Sequence, residues 1–385
     1  MKVSGDWING KVTQSVLRML TDGGHEAYVV GGCVRNALLG EAVSDVDIST
    51  NARPAQVIAL AEAARLKAVP TGIDHGTVTV IASGTPHEIT TFRRDVETDG
   101  RRAVVAFADT LEEDARRRDF TMNALYADAE ARVHDPLGGL GDLRARRVRF
   151  IDDPAARIRE DYLRILRFFR FHAWYGDATA GLDPEALAAC AELADGLSNV
   201  SRERIGAELL KLLGAPDPGP AVAAMDHAGV LARILPGADS RALPVLIHEE
   251  DRLGAAPDPL RRLATLAVPD PKALRLSRAE ARRLALLAGA ARDGTDPAAL
   301  ALDHGAQTAR DALLIRAALI GQPVSDEAWA LPAIAAAQSF PVAARDLMPA
   351  YQGPALGARL AALRAAWIAS RFALTREDLL ALPEV

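Results

Sequence analysis

Two aspartates one residue apart, Asp45 and Asp47, follow a Gly31–Gly32 pair and an arginine, Arg35, in the stretch from Tyr28 to Thr50, YVVGGCVRNALLGEAVSDVDIST. In an extended strand, side chains at i and i+2 point to one face with their Cα atoms about 7 Å apart, so both carboxylates converge on one site. Two hard oxygen ligands of this kind suit Mg²⁺. The apolar run Ala27 to Val30 reads as a buried strand and Cys33 to Leu39 as a short helix closed by Gly40. Backbone amides at the start of that helix face an anion, and the fork of Arg35 on its first turn grips phosphate oxygens at two points. Each piece alone has a plainer reading: a Gly pair is an ordinary turn, and a lone D-x-D a solvated loop or a helix cap. Their order gives the stretch its meaning, which is the holding of a triphosphate with its magnesium ions.

Four further segments carry charged residues that bear on the same site. The strand His87 to Arg93, HEITTFR, offers Glu88 as a third carboxylate or as a half-exposed strand acid. Arg93 to Phe107 is charged without periodicity, and Gly100 marks it as a mobile loop. Arg117 to Leu125, RRDFTMNAL, reads by itself as a basic helix start with an aspartate cap. In Arg157 to Phe171, RIREDYLRILRFFRF, the residues Ile158, Tyr162, Ile165, Leu166 and Phe169 form one apolar helix face, with Asp161 and Arg164 one turn apart on another. As an intrahelical salt bridge that last pair is worth only a few tenths of a kcal/mol.

Taken in order, these segments resemble the motifs of class II CCA tRNA nucleotidyltransferases, in the tRNA nucleotidyltransferase/poly(A) polymerase family of the DNA polymerase β superfamily. The first stretch resembles the family's G-G-x-V-R-D and D-x-D, with Asn36 standing in the acid's place. RRDFTMNAL resembles the second motif, which implies that Arg118 contacts the nucleotide's phosphates or sugar and that Asp119 and Asn123 bond ribose hydroxyls. Asp135 to Leu143, DPLGGLGDL, resembles a glycine-rich hinge, and Ser201 to Leu212, SRERIGAELLKL, a supporting helix. Glu160, Asp161 and Arg164 match the family's E-D-x-x-R, in which Asp and Arg act as an amino-acid template for the incoming base. A carboxylate accepts from the exocyclic amino group of C or A, while a guanidinium donates to their ring acceptors; U and G present a carbonyl to the carboxylate instead. Arg167 and Arg170 resemble arginines that reach the triphosphate or stack near it. The charged loop resembles the one that supports the switch from C to A addition, with Ala103 where the family often has proline.

The elements that must position these groups change character once. Up to about residue 150, strand-like runs such as Thr77 to Ala82 and Glu88 to Phe92 alternate with helical stretches such as Pro54 to Leu66, an α/β pattern. Beyond Pro154 the chain is rich in alanine, leucine and arginine at helical spacing. With the resemblance, the expected architecture is an α/β polymerase-β-type nucleotidyltransferase head at 1–150, followed by an all-α neck at 151–215 that reads the base and a helical body and tail at 216–385 that bind tRNA.

The chain has 385 residues, which favours more than one domain. Cys33 and Cys190 lack the spacing of a zinc site or a disulfide framework, and neither a signal segment nor a membrane-length apolar run is present, so a cytoplasmic, soluble protein is expected. A net charge of −6 argues against nucleic-acid binding by the average, but arginine is dense at 93–102, 116–118, 144–149 and 157–170. The resemblance implies template-independent CCA addition to tRNA from CTP and ATP, with Mg²⁺ on Asp45 and Asp47 and no obligate protein partner. Rival readings are a bacterial poly(A) polymerase, a non-catalytic RNA-binding relative and a small-molecule nucleotidyltransferase. The TGIDHGTVTV stretch and modest basicity oppose the first, the intact D-x-D the second, and the E-D-x-x-R helix with its long tail the third.

Overall fold

The computed structural model describes residues 1–99, 102–266 and 274–383. The chain divides into two compact units, Met1–Ile234 and Leu235–Val385, so the sequence positions 150 and 215 both fall inside the first.

The first unit is built on a mixed sheet whose strands are β1 (Ala27–Val30), β2 (Asp47–Thr50), β3 (Lys67–Gly72), β4 (Thr77–Ala82), β5 (Thr85–Thr91), β8 (Tyr126–Ala127) and β9 (Val133–His134), in the order β3-β4-β5-β2-β1-β8-β9. The pairs are antiparallel except β2 with β5, which run parallel with Asp47 opposite Glu88. β4 shows the alternation expected of a half-buried strand, with Val78, Val80 and Ala82 in the core. The helix Lys11–Asp22 packs on the sheet through Val16, Leu17 and Leu20.

The stretch 93–107, expected as an irregular loop, instead contains an antiparallel ribbon of β6 (Arg93–Asp99) and β7 (Arg102–Phe107). Backbone groups of the two strands satisfy one another across the ribbon, which outweighs the charge pattern. The Gly100 position lies outside the described residues.

From Pro154 the described residues hold helices and no named strand. The expected continuous helix from Arg157 to Phe171 is broken: one helix spans Pro154–Glu160, another Leu163–Tyr175, and Asp161 between them is extended at φ −153°, ψ 104°. The Asp161 carboxylate accepts from the Leu163 amide at 3.1 Å, a local bond that competes with the helical one. Ile158, Ile165, Leu166 and Phe169 are nevertheless all buried, so the apolar face survives the break. The helix Leu163–Tyr175 is joined to the head by buried rings. Phe120 lies 4.9 Å from both Phe150 and Phe171, and Phe168 lies 5.8 Å from Phe150. Such pairs are worth about 0.5–1.5 kcal/mol each beyond burial. On its other side this helix packs against Arg202–Leu213 and Gly219–His227.

The second unit is helical among its described residues, with Trp367, Leu363 and Leu379 in its core. It also buries Arg261 and Arg262, each bonded to Glu250, with Arg261 donating to Asp311 at 2.8 Å. Pairing of this kind is what makes an interior charge tolerable. Cys33 and Cys190 are free and buried. No helix of the described residues is long and apolar enough to cross a membrane.

Gly139 begins the helix Gly139–Arg144, and a Cβ there would lie 2.2 Å from the carbonyl oxygen of Thr121. Gly139→Ala is therefore expected to lower stability by about 1–3 kcal/mol, read as a lower urea midpoint with an unchanged slope; an unaltered midpoint would show that the two backbones can separate freely.

Candidate active site

β1 delivers the chain to Gly31, whose φ of +76° favours glycine, and the helix Gly32–Leu39 starts at once and ends at Gly40 in the left-handed region. A Cβ on Gly31 would also meet the Arg118 guanidinium at 3.4 Å. This tight turn forms one wall of a cavity of ≈ 390 Å³. The other walls are Arg35 from the same helix, Asp47 at the start of β2, Arg117, Arg118, Asp119 and Asn123 from the RRDFTMN segment, and Asp161, Arg164 and Arg167 from the helix break and the helix after it. Five arginines against three aspartates give the lining an excess of positive charge, suited to a polyphosphate.

Each arginine is tied from behind. Arg118 donates to Tyr126 Oη at 3.0 Å, Ser49 Oγ at 3.3 Å and Asp114 Oδ2 at 3.2 Å, while Arg117 Nε donates to Asp114 Oδ1 at 2.8 Å. Burial alone would raise the Asp114 carboxyl, but Arg118 and Arg117 hold it down at about 2. Arg167 Nε donates to Asp119 Oδ2 at 2.8 Å, with Nη2 on the same oxygen. Asp119 Oδ1 accepts from the Phe120 amide and from Asn123 Nδ2, both at 2.9 Å. Burial works against ionisation of Asp119, and Arg167 and Asn123 prevail, leaving it below the ordinary carboxylate range. With both oxygens engaged in this way, Asp119 anchors Arg167 and Asn123 at the wall of the cavity.

Arg35 is buried, donating to Asn123 Oδ1 at 2.5 Å and Tyr175 Oη at 2.8 Å with its guanidinium 3.9 Å from the Tyr175 ring centroid. Asn36, which stands where the family has an acid, accepts from Arg35 Nε at 3.1 Å and anchors to the Ala42 carbonyl at 2.9 Å. Its amide thus supplies the acceptor without the charge.

Asp45 and Arg170 are not among the cavity's lining residues. β2 begins only at Asp47, so the expected strand does not include Asp45, which is exposed and accepts from Ser44 Oγ at 3.0 Å. It remains close enough to act on Asp47, whose carboxyl is raised first by burial and then by Glu88 and Asp45, with Arg118 opposing. Glu88 is thereby placed beside Asp47 across the parallel pair. Arg170 turns instead to Glu208 on the helix Arg202–Leu213, with its guanidinium 4.5 Å from the Phe171 ring centroid. Asp161 and Arg164 do not pair with each other: Arg204 reaches Asp161 Oδ2 at 2.7 Å, and Glu160 takes Arg164. Arg117 and Asp114 were not anticipated as site residues. The spacing of Asp114 to Arg117 and Arg118 at three and four positions was the signal that could have found them.

Among the described residues no group of three or more His, Cys, Asp or Glu is arranged to hold a metal by itself. A pair of carboxylates crowded by like charge still fits Mg²⁺, which usually takes one or two carboxylates and completes its shell with water and substrate phosphates.

Residues 27–149 match the family described as Poly A polymerase head domain, and residues 181–241 match Probable RNA and SrmB- binding site of polymerase A. The CCA-adding enzyme of Geobacillus thermodenitrificans is 41% identical over 224 residues, 58% of this chain and 54% of that protein. The human mitochondrial CCA tRNA nucleotidyltransferase 1 is 40% identical over 201 residues, 52% of this chain and 46% of that protein. The chain thus spans about half the length of the curated relatives it matches. The Bacillus stearothermophilus CCA-adding enzyme in complex with CTP superposes with a TM-score of 0.75 at 29% identity, covering 94% of this chain and 93% of that one.

The Asp114 carboxyl lies at about 2 in the folded protein against an ordinary 3.8, so its stabilisation is complete above pH 4 and is lost as pH falls toward 2. Between pH 5 and pH 2 the unfolding free energy of the native protein should drop by about 2 kcal/mol more than that of Asp114→Asn. Urea titrations across that range check this, and coincident slopes would mean that another group carries the acid sensitivity.

Proposed function

We propose that this chain is a member of the tRNA nucleotidyltransferase/poly(A) polymerase family and that it adds CCA to the 3′ end of tRNA from CTP and ATP without a nucleic-acid template, releasing pyrophosphate. The observation that carries this reading is the convergence on one cavity of the Gly31–Gly32 turn, an arginine-rich wall, Asp47 and the pair Asp161 and Arg164. Relatives at about 40% identity bear CCA-adding names, which supports the substrate assignment.

In this reading the turn amides and Arg117, Arg118 and Arg167 take the triphosphate. Asp119 holds Arg167 and Asn123 facing the nucleotide. The tRNA 3′ hydroxyl oxygen bonds to the α-phosphorus and gives its proton to solvent, while the bond from that phosphorus to the bridging oxygen breaks and pyrophosphate leaves with its electron pair. Asp45 and Asp47 would hold Mg²⁺, with Glu88 next to them; when bound, the metal supplies Lewis-acid activation of the hydroxyl and charge compensation for the leaving phosphates. Asp161 and Arg164 select C and A by matching their amino group and ring acceptor. For this, Asp161 must turn one lone pair from Arg204 to the base, as the exposure of that pair permits. Residues 1–150 serve as the catalytic head, 151–215 as the base-reading neck, and 216–385 as the part that grips tRNA by shape and backbone. The natural compartment for this work is the cytoplasm.

A second reading, ATP-only tailing of RNA, is favoured by the polymerase A descriptions of both matched families. Purified protein with Mg²⁺, tRNA transcripts ending at the discriminator base, and each nucleotide alone or CTP with ATP separates the two when product ends are sequenced. C, C, A and a stop is expected; a long A tail from ATP alone would replace the proposal with tailing. Asp45→Ala and Asp47→Ala should bring addition below detection while leaving the melting temperature within a few degrees, and near-native activity in either would remove its carboxylate from the metal site. Asp161→Ala combined with Arg164→Ala should lower the preference for C and A over U and G by roughly tenfold or more, from about 1–3 kcal/mol per lost contact; unchanged selectivity would place base choice elsewhere.

A further inference from the structure

Arg157 does not line the cavity, yet it is buried and bonded to both sides of the boundary between the head and the helices. Its Nη2 donates to the carbonyls of Arg117 and Arg118, the latter at 2.6 Å. These carbonyls lie just past the end of the helix Leu111–Arg116, where backbone acceptors lack helical partners and the helix dipole favours a cation. Its Nη1 donates to Glu160 at 2.7 Å, and Glu160 in turn accepts from Arg164. The carbonyl of Arg157 accepts from Arg164 Nη1 at 2.8 Å, and the carbonyl of Arg117 accepts from Arg164 Nη2 at 3.4 Å. The groups that hold Arg164 in this arrangement are therefore the backbone of Arg157 itself or groups that its guanidinium grips.

We propose that Arg157 is a positioning residue for nucleotide selection: it locks Arg164 in register with Arg117 and Arg118, fixing the distance from the base-reading guanidinium to the phosphate-binding wall. This rests on the CCA-adding reading of the site. The chemistry requires such a lock. A guanidinium with freedom to tilt donates to the carbonyls of uracil as readily as to N3 of cytosine, so discrimination comes from holding it where only the correct base also satisfies Asp161. Lysine at 157 retains the charge but not the planar fork that spans two carbonyls and a carboxylate.

The test compares native protein, Arg157→Lys, Arg157→Gln and Glu160→Gln in single-nucleotide addition to a tRNA transcript, measuring kcat and KM for CTP and for UTP together with melting temperature. The expected result is a CTP-over-UTP preference in kcat/KM lowered roughly tenfold or more in Arg157→Lys and Glu160→Gln, chiefly through KM, while both proteins melt within a few degrees of native. Parallel losses with CTP and UTP that leave the ratio unchanged would overturn the proposal, as would failure of all three variants to fold, since Arg157 would then be structural only. Native protein lacking any preference for C and A would defeat the CCA-adding reading itself. A selective native protein with equally selective variants would defeat this inference alone.

Discussion

Five guanidiniums facing one cavity repel each other, and burying them strips away the water that would screen that repulsion. The first unit meets this constraint with a buried or half-buried acceptor behind each one: Asp114 for Arg117 and Arg118, Asp119 for Arg167, Glu160 for Arg164, and Asn123 with Tyr175 for Arg35. The acceptors come from segments far apart in the chain, so the fold and the charge balance of the site are one problem. The carboxylates that line or back the cavity, Asp47, Asp114, Asp119, Glu160 and Asp161, equal the five guanidiniums in number, so what the site offers a triphosphate is a set of directed cationic donors held in place rather than a large net charge.

The same logic explains how the head and the helices that follow it act as one body within this unit. The cluster of Phe120, Phe150, Phe168 and Phe171 supplies apolar adhesion without direction. Arg157 and Arg167 add direction, each bonding a head group to a side chain beyond Pro154 through charge-assisted contacts whose geometry is fixed by the planar fork. Packing brings the two halves together, and the arginine bonds set their register.

Much of this was legible in the chain. The turn at Gly31, the helix closed by Gly40, the α/β character of the head and the helical remainder all follow from local pattern, and most of the residues singled out do meet in one cavity. What escaped was decided by contacts that local pattern does not encode. The apolar spacing of Ile158 to Phe169 gave no sign that Asp161 would leave the helix, because the burial pattern is the same with or without the break. Arg170 looked like Arg167 at three-residue spacing, and only the arrival of Glu208 from another helix separates them. The charged stretch 93–107 lacks the hydrophobic alternation of a buried strand because its ribbon lies outside the seven-stranded sheet.

The lone parallel pair in that sheet, β2 with β5, sets Asp47 opposite Glu88 through main-chain bonding. Neighbouring strands lie about 4.8 Å apart whatever their side chains, so the interval between these two acids is a property of the backbone and survives substitutions in the core beneath it. The connection between them, from Asn51 to Gly84, contains β3 and β4, which pair in register beyond β5, so its turns are the places where its length can change without moving the strands. Deleting one residue inside β5 ahead of Glu88 is a different matter: with a side-chain period of two, that slip would turn the acid to the opposite face of the sheet.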